Sequence, residues 1–455
     1  MKMSTLLVVR GKYYLAVITQ SFRSVPILMR TNSKNFSQTI HSEDDISNVI
    51  NRSLENYTDN TLEPYQIVKF SLGKSFTNSG IDIKQIIKDS RGKRVDHFAS
   101  NEDEKNIHTY QIKFASVFKE GFNALYNTAD GKLSKSAKLD FATQAFRTGF
   151  LENQDFHERC LEKMFYTKEE SELFRTVLLA NHLFGRLAAN FVQNYFVSHD
   201  HRSHDIYNKC PCDECGEKIL YNNSGIGSEF LWYGYPDIMV NSIGGSTMIA
   251  RPEKIDRDEQ IAEGDTYLKA DFDERQIIES EENIALLRYE RNVSKFVAQA
   301  VTFSFYQKYY QLKMNKNKRN VVPVTLVPML ALTGTHFDIY LYDHEYDILL
   351  RNKGPPISLW KCEYPKAELD MSSVLKIWMV FNHLTLKTSL EENMVQELKG
   401  SCDFLHALSS GHKTIIGETI SMRNRFYPRR YKEIDALPSQ SQEKILHFPK
   451  QKDSI

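Results

Sequence analysis

Near residue 200 the hydrophobic pattern of this 455-residue chain changes period, and any fold must satisfy both halves of that change. Before it, Leu173, Phe174, Val177, Leu178, Leu183, Phe184, Leu187, Ala188, Phe191, Val192 and Tyr195 recur at three-to-four spacing and predict a helix with a broad apolar face. After it, Phe230 to Tyr233 and Ile238 to Val240 read as short strands. A second long helix is expected over residues 292–313. The β-rich segments Val321 to Leu332, Phe337 to Tyr342, Ile348 to Leu350 and Ile357 to Trp360 come next, divided by turn-like residues such as Gly354-Pro355-Pro356. They predict a meander, covered by a helix from Ser372 to about Leu386. The expected fold class is α/β: a mixed central sheet flanked by helices, with a mainly helical N-terminal region.

Residues 1–100 read as a mixed α/β region. Ser42 and Asp45 ahead of Ile46, Val49, Ile50 and Leu54 predict a capped amphipathic helix, and Gln66 to Leu72 a strand. Residues 101–199 are helical and lead into the core, and residues 200–228 form a loop rich in Cys and His. Residues 251–283 are dense in Asp and Glu and interrupted by Pro252 and Gly264, as a solvated insertion would be. Residues 391–455 are more polar, and beyond Gly400 a loosely ordered tail is expected.

Lys plus Arg equal Asp plus Glu at 58 each, so no global field draws the chain to nucleic acid or to an acidic membrane, and such a partner must be held by a local patch. The most apolar helix is interrupted by His182, Arg186 and Asn190 and falls short of a bilayer span, which predicts a soluble protein with no membrane partner. Six cysteines, three of them within Cys210 to Cys215, are unlike a disulfide framework and suggest a reducing, intracellular compartment, nuclear or cytoplasmic. The first 42 residues hold Lys2, Arg10, Lys12, Arg23, Arg30 and Lys34 with no acid, which also fits a mitochondrial presequence. Residues 6–19 equally read as two β-rich runs around Gly11.

Zinc takes four ligands from thiolate and imidazole. His199, His201, His204, Cys210, Cys212 and Cys215 place six such donors within seventeen residues. Cys210, Cys212, Cys215 and His204 are the candidate zinc ligands, and a loop of reduced thiols is the alternative reading.

The stretch Gly234-Tyr235-Pro236-Asp237-Ile238-Met239-Val240 follows a strand-like Phe230 to Tyr233, and proline suits entry into a strand. Further on, Lys295-Phe296-Val297-Ala298-Gln299-Ala300-Val301-Thr302-Phe303-Ser304-Phe305 reads as a buried helix. In this order, residues 168–390 resemble the PD-(D/E)XK nuclease-like superfamily. The resemblance implies a restriction-endonuclease-like core, with an Asp at the start of one strand, a Glu on the neighbouring strand and a Lys two residues after that Glu. Asp237 takes the first place. Ile277-Ile278-Glu279-Ser280-Glu281 is the nearest match to the second, with Glu279 as the other metal carboxylate, Glu281 where the Lys belongs, and Gln299 packing near the site.

The function so implied is hydrolysis of nucleic-acid phosphodiesters with Mg²⁺ or Mn²⁺ held by Asp237 and Glu279 and water as nucleophile. A Glu in place of Lys repels the phosphate it should stabilise, although Lys295 offers a cation from the helix. The alternative is a catalytically inactive nuclease-fold module that binds nucleic acid or a protein partner. Residue by residue, Asp237 also suits a turn and Glu279 a solvated helix face.

Two basic clusters interleaved with aromatics suit phosphate backbones and stacked bases. One is Lys308, Lys313, Lys316, Lys318 and Arg319 with Tyr306, Tyr309 and Tyr310; the other is Arg423, Arg425, Arg429, Arg430 and Lys432 with Phe426, Tyr427 and Tyr431. Solvated helix ends are the alternative for both.

Overall fold

The structure is a computed structural model of the full chain. It describes part of a helix within residues 48–54 and then residues 60–416. Gaps fall at 89–93, 96–107, 130–135, 167–171, 189–194, 199–206, 251–273, 316–322 and 363–366 and at a few shorter positions. The chain divides into two compact units, Met1–Gln38 and Thr39–Ile455, and every described residue belongs to the second. The acid-free N-terminal stretch and the basic cluster around Arg425, Arg429 and Arg430 therefore lie outside the described residues, as do His204, Lys316, Lys318 and Arg319.

One large mixed sheet organises the fold. In chain order its strands are β1 (Thr61–Lys69), β2 (Asp82–Gln85), β3 (Ile112–Lys113), β4 (Tyr195–Ser198), β5 (Tyr221–Asn222), β6 (Ile238–Ser242) and β7 (Gly245–Ala250). They continue as β8 (Leu326–Leu332), β9 (His336–Asp343), β10 (Ile348–Asn352) and β11 (Ile357–Ser358). The spatial order is β2-β1-β10-β9-β8-β7-β6-β4-β5, with β3 beside β1 and β11 beside β9. The predicted meander is present as β8 to β10, while β11 returns to pair with the start of β9 instead of adding beyond β10. The N-terminal region is not separate from it: β1 pairs antiparallel with β10, Leu62 opposite Asn352 and Tyr65 opposite Leu349.

Successive side chains of a strand point to opposite faces, and the two hydrophobic clusters follow that rule. Leu326, Leu330 and Leu332 of β8 and Ile339 and Leu341 of β9 join one cluster, while Val327, Met329, Ala331, Tyr340 and Tyr342 join the other. Helices cover both faces, which makes three layers. On the first face lie α1 (Lys119–Ala129), α2 (Ala137–Gly149), α3 (Gln154–Tyr166), α4 (Glu172–Leu179) and, later in the chain, α6 (Met371–Phe381), whose Trp378 is wholly buried. On the second lies α5 (Glu274–Asn315), through Phe296, Val297, Ala300, Val301 and Phe303.

Helix α5 makes the crossover between the parallel neighbours β7 and β8, the connection that parallel strands require. It starts at Glu274 rather than near residue 292, inside the segment read as a solvated insertion. The reason is visible in composition: no Gly or Pro occurs between Gly264 and Pro323, and Glu, Gln, Leu and Arg are strong helix formers. Its far end is fixed by Gln311, whose side-chain amide donates to the carbonyl of Val324 at 2.9 Å and accepts from the Val324 N–H at 2.8 Å.

The helix predicted through Tyr195 ends earlier. A π-helical turn (Ala180–Phe184) follows α4, a last turn (Gly185–Leu187) closes it, and Tyr195 opens β4. Strand pairing overrides the helical spacing there, since β4 runs antiparallel to β6 with Tyr195 opposite Val240. The segment after residue 390 also departs from a loose tail. Helix α7 (Glu392–Leu398) buries Val395 and Leu398, the carbonyl of Cys402 accepts from the N–H of Ile67 at 2.8 Å, and the ring of Phe404 lies 5.3 Å from those of Phe70 and Trp232.

Candidate metal centre

Four side chains from two stretches of chain converge on the face of the sheet covered by α1 to α4 and α6, beside the β4–β5 edge. They are His182, Cys210, Cys212 and Cys215, and one ligating atom from each lies within 4.8 Å of every other. His182 Nε2 is 3.3 Å from Cys210 Sγ, and Cys212 Sγ is 3.3 Å from Cys215 Sγ. A tetrahedron with zinc–sulfur bonds of about 2.3 Å has edges of about 3.8 Å, a length that the donor separations bracket. His182, Cys210 and Cys212 are buried and Cys215 is partly exposed.

Local folding explains each placement. Residues 209–218 double back, with Lys209 bridging Lys218 and the Cys210 N–H donating to the Glu217 carbonyl at 2.7 Å. Within the turn, Asp213 and Gly216 adopt left-handed backbone (φ 63° and 62°), reversing the chain around Cys215. The backbone N–H of Cys215 donates to Cys212 Sγ at 3.3 Å and that of Glu217 to Cys215 Sγ at 3.5 Å. His182 arrives from the other side on the π-helical turn, a feature that inserts an extra residue and re-aims what it carries. Its neighbour Asn181 donates from Nδ2 to Cys215 Sγ at 3.3 Å and accepts from the Tyr195 hydroxyl at 3.0 Å.

Helix α3 closes the site. His157 Nδ1 is 3.2 Å from His182 Nδ1, and His157 Nε2 is 3.2 Å from the carbonyl oxygen of Gly149. Lys163 donates to the Cys212 carbonyl and sits 3.4 Å from Glu214. Cys160 is also on α3 and its thiol hydrogen-bonds Cys212. That bond, with burial, raises its pKa. Hydrogen bonds from Cys160, Cys210 and Cys215 in turn lower the pKa of Cys212 below the ordinary thiol range. Burial, reinforced by Arg186, holds the imidazole of His157 well below its ordinary range, and the ring is neutral.

The four residues can therefore hold a metal ion. Of the predicted ligands, Cys210, Cys212 and Cys215 are brought together, and His182 is the described histidine that joins them. His182 enters the sequence reading only as an interruption of an apolar helix face. That interruption was the available signal, because a buried imidazole needs partners.

The residues of the nuclease resemblance are placed differently. Asp237 lies at the start of β6, partly exposed, its carbonyl accepting from the Ser198 N–H at 2.8 Å. Gly234 of the same motif has a steric reason: a β-carbon there would sit 2.6 Å from Cδ2 of buried Phe76. The strands next to β6 are β7, in register Ile238 opposite Ile249, and β4, in register Ile238 opposite Val197, and neither Gly-Ser-Thr-Met-Ile-Ala nor Tyr-Phe-Val-Ser carries a carboxylate. Glu279 is on helix α5, not on a neighbouring strand, and so is Lys313. Gln299, also on α5, is wholly buried, and neither its Oε1 nor its Nε2 meets a hydrogen-bond partner among the described residues.

Compared with protein-family models, with curated proteins and with solved structures, the chain matches none. No helix among the described residues is long and apolar enough to cross a membrane.

Proposed function

We propose that this chain is a catalytically inactive module with a restriction-endonuclease-like core that binds nucleic acid and carries a structural zinc site. The observation that carries the reading is the absence of any acid on β7 and β4, the two strands beside β6, which Asp237 enters. The nuclease plan holds its cation between two carboxylates on neighbouring strands, and here the second is missing from those strands, Glu279 belonging to a helix instead. The order of elements supports the core: Asp237 enters β6, β7 pairs with it antiparallel, α5 crosses over, and β8 returns parallel to β7.

Three thiolates and one imidazole are soft donors of the kind that select zinc. Zinc held by four protein ligands has no position for a water nucleophile, so what it supplies is a cross-link between the π-helical turn after α4 and the 207–219 loop. Cations interleaved with aromatics at Arg425, Arg429 and Arg430 supply the phosphate contacts. Binding to single- and double-stranded DNA and RNA is measured across a salt series. The reading expects affinity to fall steeply as salt rises, because neutralised phosphates release counterions, and to weaken when Arg425, Arg429 and Arg430 become Ala. Affinity that is absent or indifferent to salt overturns the nucleic-acid reading in favour of a protein partner.

A further inference from the structure

A histidine can ligate through Nε2 only if that nitrogen carries no proton, and the neighbours of the other ring nitrogen decide this. Around the metal centre the decision is traceable through three atoms. Gly149 is the last residue of α2, and its carbonyl is one of the terminal acceptors that a helix cannot satisfy itself. A carbonyl only accepts, so His157 Nε2, 3.2 Å away, carries its ring proton. His157 is buried and, among the described residues, neither ring nitrogen meets a carboxylate that could offset a charge, so the ring is neutral with one proton, which leaves Nδ1 bare. That bare nitrogen faces His182 Nδ1 at 3.2 Å, and two lone pairs cannot share such a contact, so His182 Nδ1 carries the proton. His182 Nε2 is then the bare nitrogen, and it faces Cys210 Sγ at 3.3 Å.

We infer that His157 is the positioning residue of the metal centre: it accepts the Nδ1 proton of His182, fixes that tautomer and turns the Nε2 lone pair of His182 toward the three thiols. The inference rests on the metal reading and adds a residue that touches no ligand atom of the ion. His157 is suited to the role because its ring is held on both sides, stacked on Phe150 at 5.7 Å and packed against Phe156 at 5.4 Å, so the acceptor cannot swing away. The sequence hides the relay, since His157 and His182 lie 25 residues apart on different helices.

The tautomers are read directly in the full chain labelled with ¹⁵N at histidine, from long-range nitrogen–proton couplings, with zinc and after chelation. The relay predicts His182 protonated at Nδ1 and His157 protonated at Nε2 in both samples. Zinc affinity, from competition with a chromophoric chelator, is then compared for the wild type, His157→Phe and His157→Gln. Loss of an outer partner costs roughly 10–100-fold in metal affinity. His157→Phe is expected to lose that much, and His157→Gln, which keeps an acceptor and a donor, to recover most of it. His182 protonated at Nε2 overturns the relay even if zinc binds, and so does a folded His157→Phe that binds zinc as tightly as the wild type. Should His157→Phe not fold, the wild-type spectrum decides alone. A wild type that takes up no zinc overturns the metal reading itself, a result the affinity arm reports separately from the tautomers.

Discussion

Removing the metal should loosen one region of this protein and leave the rest intact, and the structure sets the size of the effect. The ion would tie His182 to Cys210 across 28 residues. Treated as a cross-link, closing a loop of about that length removes chain entropy worth about 3.6 kcal/mol, which is about 400-fold in an opening equilibrium. Residues 207–222 hold together by a short hairpin and the β4–β5 edge, so they bear the loss. Strands β6 to β10 are buried between two layers and close no loop through the site. Hydrogen exchange with mass spectrometry, on zinc-loaded and chelated protein, should therefore show faster exchange in peptides spanning 207–222 and little change in those spanning 326–352. Cys212→Ser should reproduce chelation, whereas Cys160→Ser should keep the metal because the quartet is complete without it. Equal protection in the 207–222 peptides with and without zinc would refute the cross-link argument.

Other perturbations test the packing. Gly234→Ala drives a methyl carbon to 2.6 Å from the ring of Phe76, which is 3% exposed and cannot move aside, so a loss of roughly 1–3 kcal/mol is expected in urea unfolding; Phe76→Leu in the same background should restore part of it, and an unchanged midpoint for Gly234→Ala would sink the steric reading. Burial pushes His383 from an ordinary pKa of 6.5 down to about 4. The unfolded chain then takes up its proton first, so stability present above pH 6.5 is lost as pH falls toward 4, by about 3 kcal/mol. Against wild type, His383→Gln should flatten that dependence; parallel pH profiles for the two proteins would contradict it.

Much of the fold was legible because periodicity reports burial. The meander β8 to β10 and the helix carrying Phe296 to Phe305 are read from spacing alone, since apolar side chains there alternate or recur against a two-sided core. Spacing misleads where partners decide. Tyr195 continues the helical face on paper, yet β6 recruits it as a strand residue. Phe404 sits in a polar stretch, and its burial depends on Phe70 and Trp232, which are distant in sequence. For the candidate site, the three cysteines are conspicuous because they are local. His182 is not, because its place beside them is created by a π-helical turn and by α3, and neither leaves a local signature.

The central claim is that the protein binds nucleic acid without cutting it, and the most direct measurement is cleavage. Purified, zinc-loaded full-length protein is incubated with single- and double-stranded DNA and RNA in Mg²⁺ or Mn²⁺, beside an Asp237→Ala control. The account predicts no cleavage above that of the control on any substrate, from protein shown to be folded. Cleavage by the wild type that disappears in Asp237→Ala would contradict it and would mean that a second carboxylate outside β7 completes the site.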